Sequence, residues 1–296
     1  MDRKDRIDAI GALALTGFAT AMAFNQVVIK LGNGGFQPVF MAGLRSIGAL
    51  AVLLIWMRLR GIRLEFSRDT LGPGLALGAL FAAEFLCLFW ALDHTTVARA
   101  SILLYSMPVI LTVSAHFLLP GERLTRRRIL GLVLAMGGVA LVLAQRSSGQ
   151  ASLMGDLAAL GAAFGWTGIA LVVRMTAIQR AVPEMQLFWQ LSVSAILLMI
   201  AAPLFGPLLR DPQIIHLLGL AYQIVAVASF GFLFWFFLMK MYPASGVASF
   251  SFLTPVLAVG FGWLILGEEI GPAVLAGLVL VAVGIVLINR RPRVPA

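Results

Sequence analysis

The sequence predicts an all-α polytopic membrane protein, with ten transmembrane helices in two inverted five-helix repeats, and three observations carry the prediction. The 296 residues are 60% hydrophobic and 12% charged, whereas soluble domains run at about 45 to 50% apolar and about 25% charged. Ten apolar runs, each near the roughly 20 residues that a bilayer core requires, fill most of the chain. The two halves also resemble one another when the chain is slid along itself.

Charged and Gly/Pro punctuation places the spans at about residues 8–31, 36–58, 70–92, 97–118, 126–145, 153–174, 184–205, 214–238, 244–266 and 271–289. The first follows Arg3, Lys4 and Arg6 and passes Ala21-Met22-Ala23, a triplet that a signal peptidase could read. The apolar run continues to Ile29, so this segment reads as an uncleaved helix. The short remainder between spans leaves no room for an extramembrane domain. One cysteine, Cys87, allows neither an internal disulfide nor a multi-cysteine metal site.

Charge sets the orientation. One side of the alternating loops collects seventeen Lys and Arg, including Arg58, Arg60, Arg63, Arg68, the run Arg126-Arg127-Arg128, and the C-terminal Arg290, Arg291 and Arg293. The other side has Lys30, Arg99, Arg146 and Arg210. By the positive-inside rule both termini face the cytoplasm of a bacterial inner membrane. The net charge of +9 is thereby a topology signal rather than a nucleic-acid footprint.

A slide of 144 residues matches Gly11, Leu13, Ala14, Gly17, Ala19 and Val28 with Gly155, Leu157, Ala158, Gly161, Ala163 and Val172. A slide of 146 matches Gly121-Glu122 with Gly267-Glu268, and Gly131-Leu132-Val133-Leu134 with Gly277-Leu278-Val279-Leu280. The units are residues 1–146 and 147–296. Five helices per unit is an odd number, so the second unit enters the membrane upside down. Inverted repeats of this kind mark secondary transporters, which bind substrate near the midplane between the halves.

Ionisable residues deep in a span cost about 2.5 to 3.5 kcal/mol each on the insertion scale unless they face protein or water. Arg45 and Glu84 lie farthest from span ends and at similar depth, so they are expected either to pair structurally or to form a charged substrate site, with Glu84 as a proton carrier. Tyr105, Tyr222 and Trp166 lie deep enough to line a cavity. Trp56, Trp90, Trp189, Trp235 and Trp263 fall near span ends, where indole suits the headgroup level. Glu122 and Glu268 sit where a carboxylate favours the start of the next helix. Pro108 and Pro255 interrupt corresponding spans and are candidate hinges. Small residues four apart, at Gly74 and Gly78 and at Gly161 and Gly165, allow close helix packing, with a dimer face as the other use. The sequence therefore reads as a monomer or a weak dimer.

Pro108 to Leu143 and Pro255 to Leu287 share Pro-Val, an apolar run, Gly-Glu, a gap and two further glycines. Both segments resemble the end of an EamA repeat, and Arg45, after Pro38 and Phe40, resembles the arginine of the first such repeat. The resemblance spans the chain and implies the drug/metabolite transporter superfamily, with YddG-like amino-acid exporters as the nearest type. It implies export of small metabolites, amino acids foremost, by alternating access, with Arg45, Glu84, Tyr105, Trp166, Tyr222 and Asn25 on the substrate path. The family's first-helix tryptophan before Gly-x-Asn is Met22 here, in Met22-Ala23-Phe24-Asn25, while its repeat partner is Trp166. No nucleotide-binding loop, zinc-protease helix or serine-hydrolase elbow is present, and neither a cofactor nor a metal is expected. The alternatives are a membrane-embedded lipid-modifying enzyme and a passive channel.

Overall fold

The computed structural model describes residues 7–119, 124–144, 152–242, 250 and 252–289, with the side chains of 239, 240 and 289 excepted. Among them the chain is helical throughout, and the single strand-like feature is an isolated bridge between Phe36 and Leu209. The helices are α1 (Ala9–Gly32), α2 (Pro38–Leu59), α3 (Arg68–His94), α4 (Val97–Leu104), α5 (Met107–Leu118) and α6 (Arg126–Ala144). They continue as α7 (Leu153–Met175), α8 (Pro183–Ala201), α9 (Ile214–Tyr222), α10 (Phe232–Met241), α11 (Leu253–Leu266) and α12 (Pro272–Asn289).

Eight segments among the described residues are long and apolar enough to cross a membrane, the last being Ile214–Leu238, while Leu253–Leu266 and Pro272–Ile288 are shorter apolar helices. The start of the ninth expected span, 244–249, lies outside the described residues, as do Glu122 and Gly121. Side chains such as Ile10, Phe117 and Leu204, each more than 70% exposed, point outward, as a lipid-facing surface requires.

Two spans are irregular. The fourth is broken into α4 and α5 at Tyr105-Ser106, where the Ser106 hydroxyl donates to the Leu103 carbonyl at 2.7 Å. Pro108 sits in the first turn of α5, where its missing N–H costs nothing. The proline therefore opens a helix rather than bending one, and Pro255 likewise stands in the first turn of α11. The break itself belongs to the residues just ahead of Pro108. The eighth span carries nine residues of π-helix, Gln223–Gly231, between α9 and α10, and the Ser229 hydroxyl reaches back to the Ile224 carbonyl at 2.7 Å. Such wide turns recur at functional sites.

Glycine governs which helices touch. The small residues on α3 receive α8, with Gly74 under the Trp189 ring and Gly78 against Val193. Gly165 of α7 abuts the backbone of Glu84 on α3. Between α6 and α12 the backbones meet: a Cβ on Gly131 would lie 2.8 Å from the Gly284 carbonyl oxygen, and one on Gly284 would lie 2.6 Å from that of Gly131. Neither contact can be relieved by turning a side chain. Gly284→Ala is expected to destabilise the protein by about 1 to 3 kcal/mol through forced helix separation. Thermal unfolding in detergent checks this, and an unchanged midpoint would show that the two helices part freely.

Candidate functional site

A partly open cavity of about 150 Å³ lies where α1, α2, α3, the α4–α5 break, α7, α8, the π-helical span and α11 converge. Of the residues singled out in the sequence, Asn25, Arg45, Glu84, Tyr105 and Trp166 line it. Tyr105 and Trp166 meet edge to face, with centroids 5.6 Å apart and planes at 89°.

Tyr222 does not join them. Its hydroxyl donates to the Ala21 carbonyl at 3.1 Å and its ring meets Phe24 edge-on, so it ties α9 to α1 outside the cavity wall. The face of the helix on which it lies was not legible from depth along the span. Conversely Trp235, expected at the headgroup level, lines the cavity, and Trp189 is buried against Gly74.

Arg45 is fully enclosed. Its guanidinium carbon lies 3.6 Å from the centroid of Phe85, 5.4 Å from Phe89 and 5.8 Å from Phe81, three rings spaced one helical turn apart on α3. A cation over an aromatic face gains up to about 2 kcal/mol when desolvated. None of its three side-chain nitrogens has a hydrogen-bond partner among the described residues. The expected pairing with Glu84 is not formed: the described residues hold no ion pair between them within 4.0 Å, although both line the cavity. The guanidinium stacks on phenylalanine instead. A buried, unfilled donor set is rare in native proteins and calls for a ligand or a functional cause. Asn25 Oδ1 and Gln26 Oε1 are also buried without partners among the described residues, while Gln26 Nε2 donates to Ser101 Oγ at 3.2 Å.

At one end of the bundle, among the described residues, three ion pairs join the first half of the chain to the second. Arg99 Nε donates to Asp156 at 3.1 Å and Nη2 at 2.5 Å, with both residues almost fully buried, and the Thr95 hydroxyl donates to the same carboxylate at 2.8 Å. Arg210 grips Asp93 through two bonds of 2.7 and 2.8 Å, and these hold its guanidinium above the usual arginine range. Lys30 lies 3.6 Å from Glu268 and donates to the Thr95 carbonyl. The Glu268 carboxylate accepts from the backbone N–H of Val97 at 2.7 Å and of Ala98 at 3.1 Å. It thus caps α4, across the molecule, rather than the helix that follows it. Backbone bonds from Gln37 to Leu208, from Arg210 to Gly35 and from Ser152 to His94 close the same end.

Arg99, counted as a loop charge in the sequence, is therefore buried structure, and Asp156 and Glu268 are its counterparts in importance. Only a weak signal existed for Asp156, a single carboxylate one turn into an apolar run. No group of three or more metal-ligating side chains occurs among the described residues.

Apolar helices of spanning length around an internal, partly charged cavity define a multi-pass membrane protein built to admit a small molecule. The family model of the EamA-like transporters matches residues 9–144 and again residues 153–290, and the chain belongs to that family. It is 30% identical over 303 residues to the "Probable terminal-alkyne amino-acid exporter" of Streptantibioticus cattleyicolor, covering 96% of this chain and 94% of that one. It is 25% identical over 297 residues to the "Probable amino-acid metabolite efflux pump" of Escherichia coli, covering 96% and 94%. The "Pseudopaline exporter CntI" of Pseudomonas aeruginosa is 27% identical over 243 residues, covering 82% and 83%. Among the solved structures that are similar, a crystal structure matches with a TM-score of 0.64 at 22% identity, over 92% of this chain and 97% of the other, a likeness of fold.

Proposed function

We propose that the protein is a secondary transporter that exports amino acids, aromatic ones included, across the bacterial inner membrane by alternating access between two inverted halves of five spans each. The observation that carries the reading is Arg45, a buried guanidinium with every donor unfilled on the wall of an internal cavity. A carboxylate fits its planar fork through two parallel bonds. Trp166 and Tyr105 then supply an apolar wall for the substrate side chain, and Glu84 a carboxylate for proton coupling. The relatives named for amino-acid export and the double family match support the same reading.

The end closed by the three ion pairs is the periplasmic gate in this reading, and the cavity lies between it and the cytoplasmic side. Pro108 and Pro255 stand in the first turns of their helices, and the break at Tyr105-Ser106 ahead of Pro108 serves as the bending point of the fourth span. Reconstituted vesicles tested over amino acids, drugs and nucleotide sugars, with and without a proton gradient, decide the function. Saturable uptake and counterflow of amino acids are expected. Non-saturating flux would mean a channel, and turnover of lipid an enzyme.

Orientation is tested separately. In a Cys87→Ala background, Asp211→Cys is expected to react with an impermeant thiol reagent in cells whose outer membrane has been permeabilised, while Arg63→Cys stays unlabelled until the inner membrane is broken. Equal labelling of both would reverse or void the assigned topology.

A further inference from the structure

The two halves contribute unequal walls to the cavity. The repeat register is 144 residues between α1 and α7, the same as the offset between the starts of the two family matches at residues 9 and 153. It is 145 between α2 and α8, where Pro38 and Pro183 occupy the same position at the helix start. On that register Asn25 corresponds to Ile169, Arg45 to Gln190 and Met22 to Trp166. All six line the cavity. Each repeat-related pair thus places its more polar or charged member, or its less aromatic one, on the first half. Glu84, the carboxylate on the lining, also comes from the first half.

The unfilled hydrogen-bonding atoms of the cavity lining follow the same division. Arg45 offers donors, and Asn25 Oδ1 and Gln26 Oε1 offer acceptors, all of them on the first half and all buried. The bond between Gln26 Nε2 and Ser101 Oγ leaves the amide oxygen without a partner among the described residues.

We infer that the first half forms a head-group pole and the second half a tail pole, so that Asn25 and Gln26 read the ammonium of an α-amino acid whose carboxylate faces Arg45 and whose apolar side chain lies against Trp166 and Ile169. This rests on the amino-acid reading above and adds to it the residues that separate amino acids from plain carboxylates. An ammonium left without acceptors in a closed site loses the strength of a charged hydrogen bond, which corresponds to about ten-fold or more in affinity. The selected ligand is a zwitterion with an apolar side chain, and neither a simple acid nor a simple amine satisfies both poles.

Calorimetric binding to the purified full chain tests this with L-phenylalanine, 3-phenylpropanoate and phenethylamine. The wild type is expected to bind L-phenylalanine about ten-fold or more tighter than the other two. Asn25→Leu and Gln26→Met are each expected to bring L-phenylalanine down to the level of 3-phenylpropanoate while leaving the latter unchanged, and Asn25→Asp, which keeps an acceptor, to retain the preference. Unchanged L-phenylalanine affinity in both variants overturns the assignment, as does a parallel fall in 3-phenylpropanoate affinity. A wild type that binds and transports no amino acid in any arm overturns instead the functional reading on which the assignment rests, before any variant is compared.

Discussion

Asp156→Asn is expected to cost about 3 to 5 kcal/mol of stability, the loss seen when one partner of a buried ion pair is removed. Arg99 donates to both oxygens of Asp156, and both side chains are almost wholly shielded from water. An asparagine keeps one acceptor for the Thr95 hydroxyl but removes the charge that compensates the guanidinium. The cost comes from the orphaned cation, not from the pair itself. Exchanging both members, as Arg99→Met with Asp156→Leu, is therefore expected to restore thermal stability to near the wild-type level, because apolar replacement of a buried pair is often neutral or better. Thermal unfolding of the two single variants and the double variant checks this. An unchanged midpoint in Asp156→Asn would show that the remaining contacts hold Arg99 without a carboxylate.

The same pair shows where sequence legibility ended. Fold class and helix positions follow from hydropathy and punctuation, which act locally along the chain. The observed starts at Ala9, Pro38, Val97, Arg126, Leu153 and Ile214 each fall within two residues of the expected ones. The cavity set was legible as far as depth determines it, so Arg45, Glu84, Tyr105 and Trp166 converge. Depth does not give azimuth, and Tyr222 accordingly turned to α1 and Trp235 to the cavity. Nor does counting loop charges reveal which of them are buried. Arg99 and Lys30 look alike in a tally, yet one is locked to Asp156 and the other lies beside Glu268 at the start of α4. Those partners are distant in sequence, and only the packing of the two halves brings them together. The irregular turns were equally hidden, because the π-helical run Gln223–Gly231 holds neither proline nor charge to announce it.

Arg45→Leu is expected to abolish carboxylate binding and amino-acid transport without lowering thermal stability. The physical ground is the setting of the guanidinium, which is fully enclosed and, among the described residues, has no hydrogen-bond acceptor and no carboxylate within 4.0 Å, Glu84 facing it only across the cavity. A buried ion left in this state carries a desolvation penalty of several kcal/mol. Stacking on Phe85 offsets only about 2 kcal/mol of it. Leucine removes that penalty and keeps apolar contact with Phe81, Phe85 and Phe89, so the melting midpoint is expected to hold or rise while function is lost. A trade of stability for activity of this kind is characteristic of functional sites. Arg45→Lys retains the charge but not the planar fork, and is expected to bind carboxylates weakly with a melting midpoint no higher than that of the wild type. A structural cation predicts the opposite pattern, in which Arg45→Leu melts several degrees lower and the surviving folded fraction binds substrate with wild-type affinity. Melting and binding measured on the same preparations separate the two, and the second pattern would move Arg45 from the substrate path into the scaffold.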